Sequence, residues 1–248
     1  MNPSALKKLI PKPVKSLLRS VIDRIPLTVE VRPLRRDIND PAPGRFSYQQ
    51  RYINFDIREG ERVLDIGSGG DPFPFATHLV DRFLEPTPHR AGSIVQRDKP
   101  LVSADIHQLP FRDKCFDFVY CAHVLEHTAD PLRACAEIMR IGKRGYLETP
   151  TISEDILFAW AKDRHKWHVV GINRALCFFE YSPRQLEGIQ STAWEDVITN
   201  RRYHPLQQAY FGNIDIFDVM FPWVESFTVY VFHLDGRVES LNAPPQSN

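Results

Sequence analysis

The segment RVLDIGSGGDPFPFATHLVDRF, residues 62–83, constrains the fold of this chain more than any other stretch. Two short apolar runs, each closing on an aspartate (Asp65 and Asp81), enclose a glycine-rich turn. Glycine lets the backbone turn tightly and lets a ligand approach without a clash with Cβ. A strand, a glycine turn and a second strand that ends in an acid are together typical of sites for nucleotide-like ligands.

Strand-like and helix-like patterns alternate after this segment. The apolar runs LVSAD, CFDFVYCA and KRGYLETP predict three further strands. Before the last of them, Asp130 can cap a helix that has Pro131 at its first position and an apolar stripe along its length. This alternation predicts an α/β fold with a Rossmann-like sheet of seven strands, mostly parallel, and with helices on both faces.

The two ends of the chain extend this plan. Residues 225–241 alternate in polarity around a D-G turn, which predicts a hairpin that completes the sheet with antiparallel pairing. Residues 1–44 are predicted to form an amphipathic helix, over residues 12–25, and a linker. We therefore expect residues 45–248 to form one domain, with a substrate-recognition insertion at about 151–210.

Composition excludes several classes of protein. The 248 residues include 31 Lys+Arg and 31 Asp+Glu, so no overall charge attracts nucleic acid. No apolar run approaches the roughly 20 residues of a membrane span. The four cysteines lack C-x-x-C spacing, which favours free thiols in a reducing compartment, and we expect a cytoplasmic protein. The helix over residues 12–25 either covers the core or contacts an anionic membrane surface or a partner.

Ligands of parallel sheets bind at the carboxyl ends of the strands, where the acids of this sequence fall. Asp81 is placed to accept hydrogen bonds from two ribose hydroxyls, with Glu85 as the alternative if the strand runs longer. Asp105 can meet an adenine amino group while Ile106 packs on the ring. The dipeptide Asp71–Pro72 is expected to start a helix whose free N–H groups would meet a ligand anion.

The strings VLDIGSGG, ADIHQLPFRDKCFDFVYCAHVLEHTADP and GYLETP together resemble the class I S-adenosylmethionine-dependent methyltransferases of the small-molecule type. The resemblance covers residues 60–150. It implies S-adenosylmethionine as the cofactor, with the first-strand acid and glycines on its methionine part, the second-strand acid on ribose and the third-strand acid on adenine. The matching positions, including those after the fourth strand that border the sulfonium, are Asp65, Gly67, Ser68, Gly69, Asp81, Asp105, Ile106, Cys121 and His123.

The string HVLEH allows a second interpretation. His123 and His127 stand four residues apart, which on a helix places both on one face and suits a metal ion. The resemblance instead assigns the string to the start of the helix after the fourth strand, where the family carries it without metal. The sequence therefore predicts no metal site, and methyl transfer that depends on positioning.

Residues 151–210 follow the fifth strand, and acceptor recognition is expected there. The string HKW resembles an element of methyltransferases found with polysaccharide-assembly enzymes. A histidine near an acceptor hydroxyl can act as general base. The candidates are His165, which we place first, His168 and His123; a structural histidine packed beside Trp167 is the alternative.

These features favour an enzyme that methylates a hydroxyl of a small molecule or carbohydrate, such as a cell-surface glycan or a lipid-linked saccharide. A different small metabolite as acceptor, or a non-catalytic binding protein of the same fold, stays open. A nicotinamide-dependent oxidoreductase would carry Y-x-x-x-K and G-x-G-x-x-G, and a sugar-nucleotide glycosyltransferase would carry D-x-D. The chain has none of these strings.

Overall fold

The structure of the chain is a computed structural model. It describes residues 45–87, 93–158, 164–188 and 205–243. All of them belong to one structural unit that begins at Asp40. The helix expected over residues 12–25 lies outside the described residues, as do parts of the region 151–210. Within the described part of the chain, no helix is long and apolar enough to cross a membrane.

The described residues form six helices and ten strands. In chain order the helices are α1 (Arg45–Tyr52), α2 (Pro131–Ile141), α3 (Ile152–Phe158), α4 (Pro183–Gly188), α5 (Pro205–Gly212) and α6 (Ile214–Phe217). The strands are β1 (Val63–Ile66), β2 (His78–Asp81), β3 (Leu101–Ser103), β4 (Phe118–Ala122), β5 (Arg144–Pro150), β6 (Trp167–Ile172), β7 (Ala175–Glu180), β8 (Asp218–Val224), β9 (Thr228–Phe232) and β10 (Val238–Leu241). A 3₁₀ turn, Leu125–His127, follows β4.

A central sheet holds six of the strands in the order β3-β2-β1-β4-β5-β8. Strands β1 to β5 run parallel, and β8 pairs antiparallel with β5, from Arg144↔Val224 to Pro150↔Asp218. The predicted α/β, Rossmann-like class is confirmed, with parallel strands dominating. The described residues give this sheet six strands, where the sequence predicts seven.

The predicted C-terminal hairpin forms, as β9 and β10, but it does not complete the central sheet. It joins β6 and β7 in a second sheet of order β10-β9-β7-β6, in which β7 and β9 run parallel. The edge of the central sheet is taken by β8, whose sequence DVMFPWV contains Pro222. Proline lacks a backbone donor and is confined to edge strands, so β8 fits an edge but gives a weak strand signal. The expectation about the hairpin is wrong for this reason.

Both faces of the central sheet are covered. Along β4, Val119 and Cys121 pack into one core cluster with α2 and the second sheet. Phe118 and Tyr120 pack into another, which Phe46 of α1 joins. Alternate side chains of a strand point to opposite faces, so a strand buried on both faces has a continuous apolar sequence such as FVYCA. Helices α1 and α2 therefore lie on opposite faces, as predicted.

Helix α2 begins where the sequence predicts. The Asp130 side chain accepts a hydrogen bond from the Arg133 amide at 2.9 Å, and Pro131 occupies the first helical turn. Proline is tolerated there because the first-turn amides have no partner within the helix. The stripe that faces the core consists of Ala134, Cys135, Ile138, Met139 and Ile141.

The glycine turn leads into an irregular loop, residues 67–77, and not into the helix predicted to start at Asp71–Pro72. The two prolines of DPFP bias the residue before each of them away from the helical region. Phe73, between the prolines, is buried, and its ring stacks on that of Tyr120 with centroids 4.2 Å apart. The loop thus packs directly against the face that a helix would cover.

Gly67 follows β1 in the left-handed region, at φ +74°. A Cβ there would lie 2.3 Å from Val124 Cγ2, whereas Gly60, at φ +83°, has nothing within 4 Å of the same position. Gly67→Ala should therefore lose about 2–5 kcal/mol of unfolding free energy and Gly60→Ala about 1–2 kcal/mol, because only the first adds a clash to the backbone strain. Urea unfolding of both variants measures the difference. Equal losses would show that Val124 moves aside without cost.

Candidate cofactor and acceptor site

The carboxyl edge of the central sheet brings together the predicted residues of the first four strands. Asp81 closes β2, Asp105 lies two residues beyond β3, and His123 follows β4 directly. Because β1 to β4 are parallel, all three lie at the same edge as the glycine turn. The geometry expected of a ligand site at this edge is present.

Two aspartates hold the glycine turn in place. Asp65 Oδ2 accepts a hydrogen bond from the Phe73 amide at 2.7 Å. Asp81 accepts from the Gly69 amide at 3.1 Å and from the Phe83 amide at 2.9 Å. A carboxylate can accept about four hydrogen bonds, so the bonds to these two amides do not exclude the ribose role predicted for Asp81.

Asp65 is buried, so it acts on the turn from within the core. Burial raises its pKa to about 7, against the opposing influence of the Phe73 amide, Arg45 and Lys99. Lys99 also donates to the carbonyl oxygens of Phe73 and Pro74, at 3.4 and 3.3 Å. The acid and the lysine together fix the loop that stands in place of the expected helix.

Asp105 keeps 38% of its side chain open to solvent. It accepts a 2.5 Å hydrogen bond from His107 Nδ1 and lies 3.2 Å from the Arg82 guanidinium. Burial raises the pKa of this carboxyl, but hydrogen bonds from the amide and ring of His107 outweigh burial and lower the pKa overall. A partly exposed, ionised carboxylate suits an amino-group donor, as predicted. Sequence reasoning does not identify the supporting roles of His107 and Arg82.

Two residues predicted to contact the cofactor, Ile106 and Cys121, have side chains in the apolar core. Ile106 is buried in the core cluster. Cys121 is fully buried in the same cluster, and burial raises the pKa of its thiol well above the usual range. Both side chains pack in the cluster that α2 joins, and the cofactor contacts of the two residues stay predictions.

His123 leaves the direction of β4 and reaches toward β5 and β8. Its backbone is left-handed, at φ +55°, and 22% of its side chain is exposed. Burial lowers its pKa, but the hydrogen bond with Glu148 and the negative charges of Glu148 and Glu126 together outweigh burial, so the pKa is raised overall. The predicted contact of His123 with cofactor or acceptor fits this position.

Glu148, inside the string GYLETP, is the centre of a buried hydrogen-bond network that sequence reasoning does not identify. Its Oε1 accepts from Tyr48 at 2.8 Å and lies 3.3 Å from His123 Nε2. Its Oε2 accepts from Gln49 at 2.8 Å and from the Tyr146 hydroxyl. Burial raises the pKa of Glu148, but the bonds from His123 and Tyr146 outweigh burial and lower it. The sequence signal for this network is an acid within the predicted strand KRGYLETP.

Four further acids surround this network. All are buried: Glu126, Glu154, Asp155 and Asp218. Asp218 Oδ1 lies 3.7 Å from His123 Nε2, and the Tyr210 hydroxyl donates to Glu154 at 2.6 Å. Burial, and then repulsion from neighbouring carboxylates, raises the pKa values of Glu154 and Asp218. This wall of the site therefore favours cationic or proton-donating groups over anions.

His165, the first candidate base, is enclosed. Its Nδ1 lies 2.6 Å from Asp155 Oδ1, and Tyr181 donates to the other oxygen of that carboxylate at 2.6 Å. The rings of His165 and His127 meet edge-on, with centroids 4.7 Å apart. Burial lowers the pKa of His165, but the contact with Asp155 and the negative charges of Glu126 and Asp155 together outweigh burial and raise it. The role of His165 as a base stays a prediction.

His168, on β6, lines a cavity of about 740 Å³ at the carboxyl edge. Thr151, Ser153, Asn173 and Asp218 line the same cavity. Burial lowers the pKa of His168, so its ring is neutral near pH 7 and can accept a proton. A cavity of this size accommodates a small-molecule ligand.

A second cavity, of about 490 Å³, lies at the opposite edge of the sheet, beside Phe118, Arg144 and Val224. The first two of these residues begin β4 and β5, and the third ends the antiparallel β8. Ligands of parallel sheets bind at the carboxyl ends of the strands. We therefore assign the candidate site to the glycine turn and the 740 Å³ cavity.

Residues 64–147 match the family described as a methyltransferase domain, of type 11. This segment runs from β1 to β5 and contains the glycine turn with the acids that follow β2 and β3. The match confirms the resemblance stated above for this segment, and with it S-adenosylmethionine as the cofactor of the domain class.

Two curated proteins are similar to parts of this chain. The demethylmenaquinone methyltransferase of Thermobifida fusca is 28% identical over 145 residues, which cover 54% of this chain and 58% of the relative. An uncharacterized methyltransferase of Mycobacterium avium is 36% identical over 97 residues, which cover 36% of this chain and 38% of the relative. The chain thus spans about half the length of the curated relatives it matches.

Solved structures show more distant similarity. An S-adenosylmethionine-dependent methyltransferase from Aquifex aeolicus is 18% identical, with a TM-score of 0.31, over 42% of this chain and 62% of that chain. One from Methanosarcina mazei is 19% identical, with a TM-score of 0.32, over 47% of this chain and 68% of that chain. Similarity at this level says nothing about the acceptor.

Asp81→Ala should weaken the binding of S-adenosylhomocysteine more than about tenfold, because the ribose hydroxyls lose hydrogen bonds to a charged group of about 1.5–3 kcal/mol each. Isothermal titration calorimetry measures the dissociation constant. Asp81→Asn retains an acceptor for the Gly69 amide and so keeps the support of the loop. A weaker affinity in Asp81→Asn would therefore come from the lost contact with the cofactor. Glu85→Ala is the matched control. If only Glu85→Ala changes the dissociation constant, Glu85 and not Asp81 is the acid that contacts the ribose.

Asp65→Asn should change how stability depends on pH. The pKa of Asp65 rises from 3.8 to about 7 on folding, so between these values the unfolded state loses a proton that the folded state keeps. Stability is therefore highest below this window and is lost as pH rises through it, by an amount on the order of 3–4 kcal/mol. Asparagine retains an acceptor for the Phe73 amide and removes the titration. Urea unfolding across this pH range should give a flatter profile for the variant, and parallel profiles would contradict the assignment.

Proposed function

We propose that this chain is an S-adenosylmethionine-dependent methyltransferase that acts on a hydroxyl oxygen of a small molecule or carbohydrate. The proposal rests on one observation: the glycine turn with its acids and the 740 Å³ cavity lie at the same edge of one sheet, where Asp218 of the cavity wall approaches His123 to 3.7 Å. Transfer of a group between two bound molecules requires a cofactor half and an acceptor half side by side.

The cofactor half fits S-adenosylmethionine. Ser68 Oγ is buried and has no hydrogen-bond partner among the described residues, so it can bind a polar ligand atom. Gly67 and Gly69 adopt left-handed conformations, which glycine takes without strain. Asp81 and Asp105 offer carboxylates to ribose and adenine at the ends of β2 and β3. When bound, S-adenosylmethionine supplies an electrophilic methyl group.

The acceptor half supports a hydroxyl-bearing molecule. Its lining combines hydroxyl, amide and carboxylate groups from Thr151, Ser153, Asn173 and Asp218. Such groups pair with the hydroxyls of a carbohydrate or another polyhydroxylated molecule and orient it. A demethylated quinone, the substrate in the name of the Thermobifida fusca relative, is the competing acceptor.

His168 is the base that the geometry favours. An acceptor hydroxyl must lose its proton as the carbon–oxygen bond forms, and a neutral imidazole beside it can take that proton. His168 lines the acceptor cavity and has a lowered pKa, because burial disfavours its charged form. His165 and His123 both pair with carboxylates, which favours their protonated forms. The sequence places His165 first, and the cavity gives the reason to place His168 ahead of it.

Cofactor binding is tested first and methyl transfer second. Thermal-shift titration should show stabilisation by S-adenosylhomocysteine and none by NADH, because ligands that bind only the folded state stabilise it. Transfer of tritium from labelled S-adenosylmethionine is then measured with polyhydroxylated acceptors and with a demethylated quinone. Binding without transfer to any acceptor would favour a non-catalytic binding protein, and transfer to the quinone alone would replace the acceptor class.

His168→Ala should slow single-turnover methyl transfer about 10²–10⁴-fold while leaving the affinity for S-adenosylhomocysteine unchanged, because the base acts on the acceptor only. His165→Ala is the matched control and should keep the wild-type rate, because the His165 ring pairs with Asp155 and not with the acceptor. A slower rate in His165→Ala with an unchanged rate in His168→Ala would make His165 the base, as the sequence predicts. Unchanged rates in both, and in His123→Ala, would mean that positioning alone drives transfer.

A further inference from the structure

Three side chains from separate strands meet beside the acceptor cavity. His123 follows β4, Glu148 lies on β5 and Asp218 opens β8. His123 Nε2 is 3.3 Å from Glu148 Oε1 and 3.7 Å from Asp218 Oδ1. One potential ligand atom of each residue lies within 4.8 Å of those of the other two. Ligand atoms held at about 2.1 Å from one metal ion stand roughly 3.0–3.5 Å apart in octahedral or tetrahedral geometry. The trio comes close to that spacing.

Glu154 lies beside this trio, and its carboxyl group is close enough to that of Asp218 for a hydrogen bond through one shared proton. Apart from that contact, the buried oxygens Asp218 Oδ1 and Glu154 Oε2 have no hydrogen-bond partner in the described part of the chain. Asp218 is 3% exposed and Glu154 is 1% exposed. Asp218 Oδ1 is also the oxygen that lies 3.7 Å from His123 Nε2. Buried carboxylates are normally paired, protonated or bound to metal, because an uncompensated charge is costly in a low-dielectric interior.

The charges of the cluster do not balance among its described members. Three negative charges are present when Glu148, Glu154 and Asp218 are all ionised. Arg45 supplies one positive charge that acts on Glu148 and Asp218. His123 adds a positive charge only when protonated. Two solutions exist: Glu154 and Asp218 share a proton, or the cluster holds a divalent cation.

The surroundings of Glu148 favour the cation. Tyr48 donates to Oε1 and Gln49 to Oε2, so the carboxylate is held with Oε1 toward His123. Hydrogen bonds of this kind orient metal-binding carboxylates. A shared proton needs no histidine, whereas imidazole nitrogen and carboxylate oxygen together suit Zn²⁺, Mn²⁺ or Fe²⁺. Asp218 also lines the 740 Å³ cavity, which gives an ion a route from solvent.

We propose that His123, Glu148 and Asp218 bind a divalent cation of the kind that accepts mixed imidazole and carboxylate ligands, such as Zn²⁺ or Mn²⁺. This site differs from the metal site between His123 and His127 that the sequence analysis considers and does not adopt. His123 and His127 do not share a helix face, because Leu125–His127 is a 3₁₀ turn. His123 turns instead toward acids of β5 and β8. The proposal does not depend on methyl transfer.

Titration of metal-stripped, full-length protein with Mn²⁺, followed through the electron paramagnetic resonance of the free ion, should show one bound equivalent. His123→Asn and Asp218→Asn should each weaken binding at least about tenfold. Asparagine suits position 123 because it tolerates the left-handed backbone and is too short to replace the imidazole. Asp155→Asn is the matched control, a buried acid that faces His165 and Tyr181, and it should bind Mn²⁺ as the wild type does.

Far-ultraviolet circular dichroism establishes that each variant is folded. If both ligand variants fail to fold, X-ray absorption of the Zn²⁺-loaded wild type decides. One imidazole nitrogen with oxygen ligands supports the site, whereas two imidazoles would overturn it and place the ion among Glu126, His127 and His165. Wild-type protein that binds neither Mn²⁺ nor Zn²⁺ at millimolar concentration, or folded variants with unchanged affinity, would also overturn the proposal.

Discussion

The buried carboxylate of Glu148 is the interaction on which the architecture of the site depends. It lies fully buried on β5, and a charge removed from water is stable only where donors surround it. The donors come from α1 (Tyr48 and Gln49), from β5 itself (Tyr146) and from the residue after β4 (His123). One carboxylate therefore ties the segment before the sheet to two central strands. Its removal would leave several buried donors without an acceptor, which costs more than the net worth of a single hydrogen bond.

The same constraint explains why His123 reaches the site. Strand β4 is buried on both faces, so its own side chains, including Cys121, are committed to the two core clusters. The first side chain that can reach the edge lies beyond Ala122. His123 takes a left-handed backbone, which disfavours a residue with a Cβ by roughly 1–2 kcal/mol. Its amide donates to the Glu148 carbonyl at 2.9 Å and its ring meets the Glu148 carboxylate, and these contacts hold the conformation.

Features that depend on neighbours in sequence could be predicted. Capping by Asp130 and an apolar stripe define α2 because both involve residues within a few turns of each other. Asp81 and Asp105 arrive at one edge because parallel alternation puts every strand end there. The C-terminal hairpin is predictable for the same reason, but the sheet that it joins depends on where β8 packs. Nothing local in DVMFPWV shows that this strand pairs with β5 along its whole length.

The two halves of the site differ in the kind of contact that builds them. The cofactor half is held by side chains that bind main-chain amides nearby, as Asp65 binds Phe73 and Asp81 binds Gly69. Such contacts need only an acid and glycines at a given spacing, so a short string carries them. The Glu148 network between the turn and the cavity instead joins side chain to side chain from distant segments, as when Tyr48 binds Glu148, and every partner must be present at once. The matched segment, residues 64–147, contains the glycine turn and none of the residues that line the 740 Å³ cavity, so the turn and the cavity can vary independently in sequence.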